Sequence, residues 1–350
     1  MRLTGGRAVL ILFALVALFV AAVRTTAPKP IPSGPAKAKG GDDGALFKAV
    51  VERVRHGEAY YPAMGEELRR RNYPTASIFN WRTPPLYVLL GLVPSGTEVL
   101  FLVAACLVAL ALTAQHLTES DLVVEVLVGV VGQAAVFIVM ASPPARFLAE
   151  TWSGMAIAIS VMAYARRRWI PGAAVGLSAL FIRELAAPYC VACVFLAARA
   201  RRWRELYVWT AGLTTYGILY AVHLSQVQAQ HRVGDAAHLS SWVHWGGLAF
   251  IQETMRETSG VLLLTPHVIV AAAVVLLAAS VLAAIGPTHM RATVIAYGFF
   301  FAVVGLPFND YWGFLTAPSY AVGFAYGTRA VRVLVGAAAG RSPHPHVSPT

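Results

Sequence analysis

Charge is scarce in this sequence. Only 13% of its 350 residues are charged, against about 25% in ordinary soluble domains. With 57% hydrophobic residues the chain has too little polar surface to cover a water-facing body, which excludes a soluble globular enzyme. Acidic residues are fewer still, 17 against 28 Lys and Arg, for a formal net charge of +11. Nucleic acid is not the partner this implies, because the basic residues stand beside apolar runs and not on polar faces interleaved with aromatics. The three cysteines, Cys106, Cys190 and Cys193, all fall inside apolar segments. They offer no disulfide framework and no loop metal knuckle, and Cys190 and Cys193 read as lipid-depth side chains. No Walker, dinucleotide or Gly-x-Ser-x-Gly fingerprint occurs and no His/Glu cluster has zincin spacing, which removes nucleotide-driven chemistry.

What is present is a series of apolar runs punctuated by short Arg clusters, the pattern of an all-α polytopic membrane protein. MRLTGGR followed by Ala8 to Val23 reads as an uncleaved signal anchor, because the run is long for a signal and AAVRTTAPKP is a poor cleavage site. Nine further spans are expected: Leu86 to Gln115 (broken at Pro94-Ser95-Gly96), Leu122 to Met140, Leu148 to Ala165, Ile170 to Ile182, Leu185 to Ala198, Leu206 to His223, Val261 to Ile285, Ala292 to Gly305 and Trp312 to Tyr326. The positive-inside rule places Arg2 and Arg7, Arg166 to Arg168, Arg199 to Arg204, Arg291, Arg329, Arg332 and Arg341 on the cytoplasmic side, with both termini. Basic clusters at both ends force Ile170 to Ala198 to enter and return, with Phe181-Ile182-Arg183-Glu184 at its outer turn. Residues 24–85, Ala141 to Phe147, 225–260 and Pro307 to Tyr311 then face outward. The helical region is expected to cover residues 1–336 as one domain, with 337–350 a disordered cytoplasmic tail. No inverted duplication is visible, which weakens a transporter reading.

The first outward loop begins as a Pro/Gly/Ala/Lys linker and then changes character. Leu46, Phe47, Val50, Val51 and Val54 recur at helical spacing over Ala45 to Arg55, Asp43 stands where a cap would, and Gly57 follows the last turn. This predicts a short amphipathic helix lying on the membrane surface. Ionisable and hydrogen-bonding residues near membrane depth collect on the outward side: Asp42-Asp43, Asn80-Trp81-Arg82, Glu150, Arg183-Glu184, His244 and Asn309-Asp310-Tyr311. Such a gathering predicts an outward-opening cavity that holds a polar substrate beneath the membrane surface.

Asp43 four residues before Phe47, a helix followed by Gly57-Glu58-Ala59-Tyr60-Tyr61, and Arg82-Thr83-Pro84-Pro85-Leu86 leading into the next span together resemble the GT-C glycosyltransferases. The residue-level likeness covers mainly Asp42 to Tyr87, with echoes at Glu150-Thr151-Trp152, Arg183-Glu184-Leu185 and Asn309-Asp310-Tyr311-Trp312. The lengthened Pro/Lys-rich lead departs from the pattern and leaves open which carboxylate enters the site. The resemblance implies a fold of about ten spans in a bacterial plasma (inner) membrane and an extracytoplasmic site. It also implies transfer of a hexosyl or pentosyl unit from a polyprenyl-phosphate donor to a hydroxyl of a glycan or glycolipid acceptor.

On that reading Asp43 is the general base, with Asp42 the second choice, and the alternative is that Asp43 caps its helix. Arg82 and Arg183 hold the leaving phosphate through their bidentate forks. The alternatives are a loop-pinning Arg82 and an Arg183-Glu184 pair that satisfies itself within the turn. Glu184, Glu150, Asn80, Trp81, Tyr61, His244, Asn309 and Tyr311 are expected to contact sugar or acceptor, with Glu150 alternatively capping its own helix. His238, Trp242, His244 and Trp245 could stack on a sugar ring and bind its hydroxyls, but interfacial aromatic belts produce the same composition more often. No cofactor is expected; a divalent cation on Asp42-Asp43 has only two adjacent carboxylates to recommend it. A lipid-linked saccharide flippase, or a non-catalytic membrane subunit that kept the fold, are the competing classes.

Overall fold

The computed structural model describes residues 3–25, 41–117, 123–237 and 243–341, with the side chains of residues 41 and 42 excepted. Among them the chain is all-helical, and its only β pairing is an isolated antiparallel bridge between Val243 and Val304. The helices are α1 (Gly5–Arg24), α2 (Gly41–Arg55), α3 (Tyr60–Arg70), α4 (Pro85–Gly91), α5 (Thr97–Leu117), α6 (Val123–Met140) and α7 (Ala149–Ala165) in the first half. The second half holds α8 (Trp169–Ile182), α9 (Ala187–Arg199), α10 (Trp203–Ala229), α11 (Gly247–Thr258), α12 (His267–Leu282), α13 (Thr288–Val303) and α14 (Ala317–Ala338).

Three of them, α1, α5 and α6, are long and apolar enough to cross a membrane. Their outer faces stay apolar: Leu10 and Phe13 of α1, Leu100 and Leu107 of α5 and Ile138 of α6 are largely exposed. A helix in water would carry charge on that face. The shorter α8 and α12 are also apolar.

At the centre lies α7, whose Ala-, Gly- and Ser-rich sequence lets neighbours approach on nearly every side. A Cβ at Gly154 would stand 1.9 Å from the Phe314 carbonyl oxygen, so the helix and the 3-10 turn Pro307–Leu315 are in backbone contact there. Helix α8 packs along α7, and the chain then turns at Arg183-Glu184 into α9, so the stretch between the Arg clusters is two helices. The two ends of this system share a device. Arg167 closes α7 at φ 59° and Arg201 closes α9 at φ 54°, each followed by an Arg and then by the Trp that starts the next helix. Left-handed backbone is costly for a non-glycine residue, and closing bonds from Arg168 to Ala163 and from Arg202 to Ala197, both 2.9 Å, hold it.

Several expected boundaries are corrected. Leu86 to Gln115 is not one broken helix: α4 starts on Pro85, tolerated at a first helical position, and ends before the Pro94-Ser95-Gly96 turn, where Gly96 has φ 89°. The Arg55 guanidinium then binds the carbonyls of Leu90 and Val93 at 3.1 and 2.9 Å, tying the end of α4 to α2. Helix α2 starts at Gly41, so Asp43 lies inside its first turn and is no cap. The apolar face of α2 is not left open to lipid: Leu46, Phe47, Val50 and Val51 are buried in protein, with α2 packed against α3 and α4. Trp312 belongs to the 3-10 turn, and the last helix runs from Ala317 past residue 336 to Ala338. Helix α10 continues through Ala229, beyond the expected His223, and α11 forms inside the stretch expected as outward loop. Residues 342–350 of the expected tail lie outside the described residues.

Candidate functional site

One cavity of about 280 Å³ gathers residues from widely separated stretches of the chain. Asp43 and Phe47 come from α2, Tyr73, Asn80 and Arg82 from the segment before α4, and Arg183 and Glu184 from the tip between α8 and α9. Phe300 and Val304 come from the end of α13, and Asn309, Tyr311 and Trp312 from the 3-10 turn that follows. Phe79 and Val243, both substantially exposed, also line it and mark its mouth.

Local structure holds each group in place. Gly44 lets α2 press against the Pro144 backbone, since a Cβ there would stand 2.1 Å from the Pro144 oxygen; this fixes the turn that carries Asp43. Asn72, in the left-handed region at φ 57°, reverses the chain after α3, and the Tyr73 amide closes the turn on the Leu68 carbonyl at 2.9 Å. Asn tolerates that backbone better than most residues. Tyr73 is thereby turned back onto α2, where its hydroxyl donates to Asp43 Oδ1. The following backbone is pinned by Asn80 Nδ2 to the Pro74 carbonyl at 2.7 Å and by Trp81 Nε1 to the Thr75 carbonyl at 2.9 Å. Thr83 donates to the Ile182 carbonyl at 3.2 Å, which fastens this segment to the α8 end beside Arg183.

The charges form one buried network. Arg183, 2% exposed, donates from Nε to Glu150 Oε1 at 2.8 Å and from a terminal nitrogen to Glu184 Oε1. Arg82 donates to the Phe79 carbonyl at 2.7 Å and to the Tyr311 hydroxyl at 3.2 Å, and lies 3.8 Å from Glu150. Its guanidinium carbon stands 5.3 Å from the Phe47 ring centre, a cation–π distance. Among the described residues, Arg82 Nε, Glu150 Oε2 and Glu184 Oε2 are buried and find no hydrogen-bond partner. Such atoms are uncommon in folded proteins, and here they leave bonding capacity around the cavity.

Outside the helical spans, two carboxyls are displaced in opposite directions. Burial pushes Asp310 up to about 6, against the Tyr311 amide, with the nearby Glu257, Glu253 and Asp43 charges acting the same way as burial. Asp235 is held well below the usual range by the Arg69 fork, whose two bonds measure 2.9 Å. That pair joins α3 to the stretch after α10, with Arg69 also donating to the Gln230 carbonyl at 2.6 Å.

Seven of the residues singled out in the sequence therefore line one cavity: Asp43, Asn80, Arg82, Arg183, Glu184, Asn309 and Tyr311. Others do not reach it. Glu150 is fully buried behind Arg183; it neither caps α7 nor lines the cavity. Trp81 is spent on its bond to Thr75 and on packing over Gly65. Tyr61 is turned away to His223 Nδ1 at 3.1 Å, while His223 Nε2 meets the Trp81 carbonyl at 3.3 Å. His244 is held by its backbone, which donates to the Val303 carbonyl at 3.2 Å beside the Val243–Val304 bridge, and is not a lining residue. The Asp42 side chain, His238 and Trp242 lie outside the described residues. Tyr73 was not anticipated; the Asn-Tyr-Pro triplet marked a turn with an extended second residue, but nothing local showed that the ring would meet Asp43.

Among the described residues no group of three or more His, Cys, Asp and Glu side chains is placed to hold a metal ion. Chemically, the cavity joins a carboxylate with a hydrogen-bonded partner to two guanidinium groups, between apolar and aromatic walls. Compared with protein-family models, with curated proteins and with solved structures, the chain matches none.

Proposed function

We propose that this protein is an integral-membrane glycosyltransferase that moves a sugar from a polyprenyl-phosphate donor to an acceptor hydroxyl on the outer side of the membrane. The observation that carries this reading is the shared cavity of Asp43, Arg82 and Arg183. The acceptor oxygen attacks the anomeric carbon, the carbon–oxygen bond to the phosphate breaks, and its electron pair leaves on the phosphate. Asp43 takes the hydroxyl proton, with Tyr73 fixing one of its oxygens so that the other can face the acceptor. Arg82, and Arg183 beside it, meet the negative charge that grows on the departing phosphate oxygen. The sugar lies against the polar wall, within reach of Glu184, Asn80, Asn309 and Tyr311.

The architecture supports a lipid-borne donor. If α1, α5 to α10 and α12 to α14 are the spans, their number is ten, and alternation puts the Arg-rich turns after α7 and α9 on one side and the cavity on the other; the Arg69-Arg70-Arg71 run belongs to the long first loop on the cavity side, a length of loop that the charge rule does not govern. Helices α8 and α9, of 14 and 13 residues, are about 20 Å long. The hydrocarbon core is about 30 Å thick, so their tip stops about 10 Å short of the far surface. A phosphate on a membrane-embedded isoprenoid reaches that depth without leaving the lipid. The apolar walls made by Leu46, Phe47, Leu185 and Phe300 suit the same molecule.

The test is transfer by purified protein from synthetic polyprenyl-phosphate sugars, with wild type compared with Asp43→Asn and Asp42→Asn. Asp43→Asn keeps the size and an oxygen for Tyr73, so the protein stays folded while transfer falls by about 10²-fold or more. Normal transfer in both Asn variants would remove the base from this site. A wild type that transfers none of the sugars, but moves lipid-linked saccharide between leaflets of a vesicle, would establish a flippase instead.

A further inference from the structure

We infer that Glu184 is an exchangeable counter-ion of Arg183, which yields to the donor's phosphate and thereby lets the site distinguish a sugar-loaded carrier from a spent one. The inference rests on the phosphate-binding part of the reading above.

The reasoning starts from the charge count. Two guanidinium groups, Arg82 and Arg183, share the site with three carboxylates, Asp43, Glu150 and Glu184. A phosphate arriving on the guanidiniums adds negative charge to a region already over-supplied with it, so one carboxylate must give up its place. Asp43 holds no guanidinium; it is bonded to Tyr73. Glu150 cannot move. Its side chain has no exposed surface, it is not on the cavity wall, and it stands in the first turn of α7, the helix that Gly154 sets in backbone contact with Phe314.

Glu184 differs in each respect. Its side chain keeps 19% of its surface exposed and lies on the cavity wall. It follows Arg183 directly, in the three-residue 3-10 turn Glu184–Ala186, so the contact needs only side-chain torsions to open. One of its oxygens holds Arg183, and the other is buried and finds no hydrogen-bond partner among the described residues. The backbone around it stays fixed, because Thr83 binds the Ile182 carbonyl before it and the Tyr297 hydroxyl binds the Leu185 carbonyl after it at 2.9 Å.

Once displaced, a carboxylate with four acceptor positions needs donors. Sugar hydroxyls supply them; an isoprenoid phosphate without sugar does not. Glu184 is therefore compensated when the loaded donor binds and left unpaired when only the carrier phosphate remains. It then competes again for Arg183 and favours release of the spent carrier. Glu184 is on this account a specificity-determining residue whose loss strengthens binding of the product.

The experiment is equilibrium binding of a synthetic polyprenyl monophosphate to the purified full chain in detergent, followed by tryptophan fluorescence. Wild type, Glu184→Gln, Glu184→Ala and Asp43→Asn are compared, each first shown by its thermal unfolding to be folded. Both Glu184 variants should bind the monophosphate about ten-fold more tightly than wild type, the size of one charge-assisted bond no longer opposed. Asp43→Asn removes the same charge from the cavity without touching Arg183 and should tighten binding clearly less. Unchanged or weaker binding in both folded Glu184 variants overturns the exchange, and so does equal tightening in Asp43→Asn, which would show simple charge repulsion. No binding by any variant overturns the exchange together with the phosphate reading. Tighter binding in the Glu184 variants without sugar transfer by wild type supports the exchange and defeats only the transferase reading.

Discussion

Replacing Gly44 by alanine removes no functional group, yet it should disable the site. In an open helix the change is favourable by about 1 kcal/mol, because glycine has more backbone freedom to lose. Here the new Cβ would stand 2.1 Å from the Pro144 oxygen and 2.7 Å from its carbonyl carbon. Ordinary carbon–oxygen contact begins near 3.4 Å, so the two backbones must separate by roughly 1 Å. Neither side yields readily: Pro144 follows Pro143, and the Arg146 amide closes that turn on the Ser142 carbonyl at 3.1 Å. Overpacking of this kind costs about 1–3 kcal/mol, enough to outweigh the gain in helix propensity. Asp43, the proposed base, is the neighbouring residue, and on that proposal a misplacement of about 1 Å lowers turnover by about 10²-fold. The assay is transfer of sugar from a polyprenyl-phosphate donor alongside thermal unfolding in detergent. Gly217→Ala serves as the reference, since nothing lies within 4 Å of a Cβ at that position of α10. A Gly44→Ala protein with unchanged or raised melting temperature and normal transfer would refute the argument that this contact places Asp43.

Three further outcomes are expected. Tyr73→Phe keeps the buried ring but frees Asp43 Oδ1, so transfer should fall about ten-fold with KM little changed; an altered KM at normal kcat would show that Tyr73 binds substrate instead. Glu150→Ala leaves Arg183 without its buried partner and should cost about 3–5 kcal/mol, and an unchanged unfolding midpoint would show that Glu184 alone suffices. Stability should also depend on pH at both ends. Asp310 titrates at about 6 in the folded chain, above its unfolded value near 4, so the native state binds the extra proton and loses stability as pH rises from about 4 through 6. Asp310→Asn should flatten that part of the melting curve. Asp235 is displaced downward, so its contribution is present above pH 4 and lost as pH falls below it, an effect that Arg69→Ala should abolish.

The parts of this molecule that were legible in the sequence are those governed by single-residue costs. Arginine clusters at both ends of Ile170 to Ala198 required a return, and the return is there as α8 and α9 with Arg183 at its tip. Charged residues too costly to strand in an apolar chain had to meet one another, and Arg82, Arg183 and Glu184 line one cavity with Asp43 and Tyr311. What could not be read depends on contacts between distant segments. Glu150 stands at the start of α7 much as a cap or a ligand would, and only packing shows that it lies behind Arg183. Tyr61 and Trp81 carry the composition of a sugar platform, but their polar atoms are satisfied by His223 and Thr75. Hydropathy alone joined α4 to α5, because the Arg55 guanidinium that ends α4 comes from thirty-five residues earlier than Leu90.

The bond between Arg82 and Tyr311 spans 229 residues of sequence. Its length has a consequence for biogenesis. A nascent chain that has reached the end of α12 already holds Asp43, Arg82 and Arg183, yet Arg82 has no Tyr311 until α13 and the turn after it have been synthesised. During that interval the half-made protein carries buried cations without their final neighbour, which is the state in which quality-control proteases would be expected to find it. The cavity is thus completed nearly last, and a chain stopped before residue 311 would lack the Tyr311 wall that Arg82 meets.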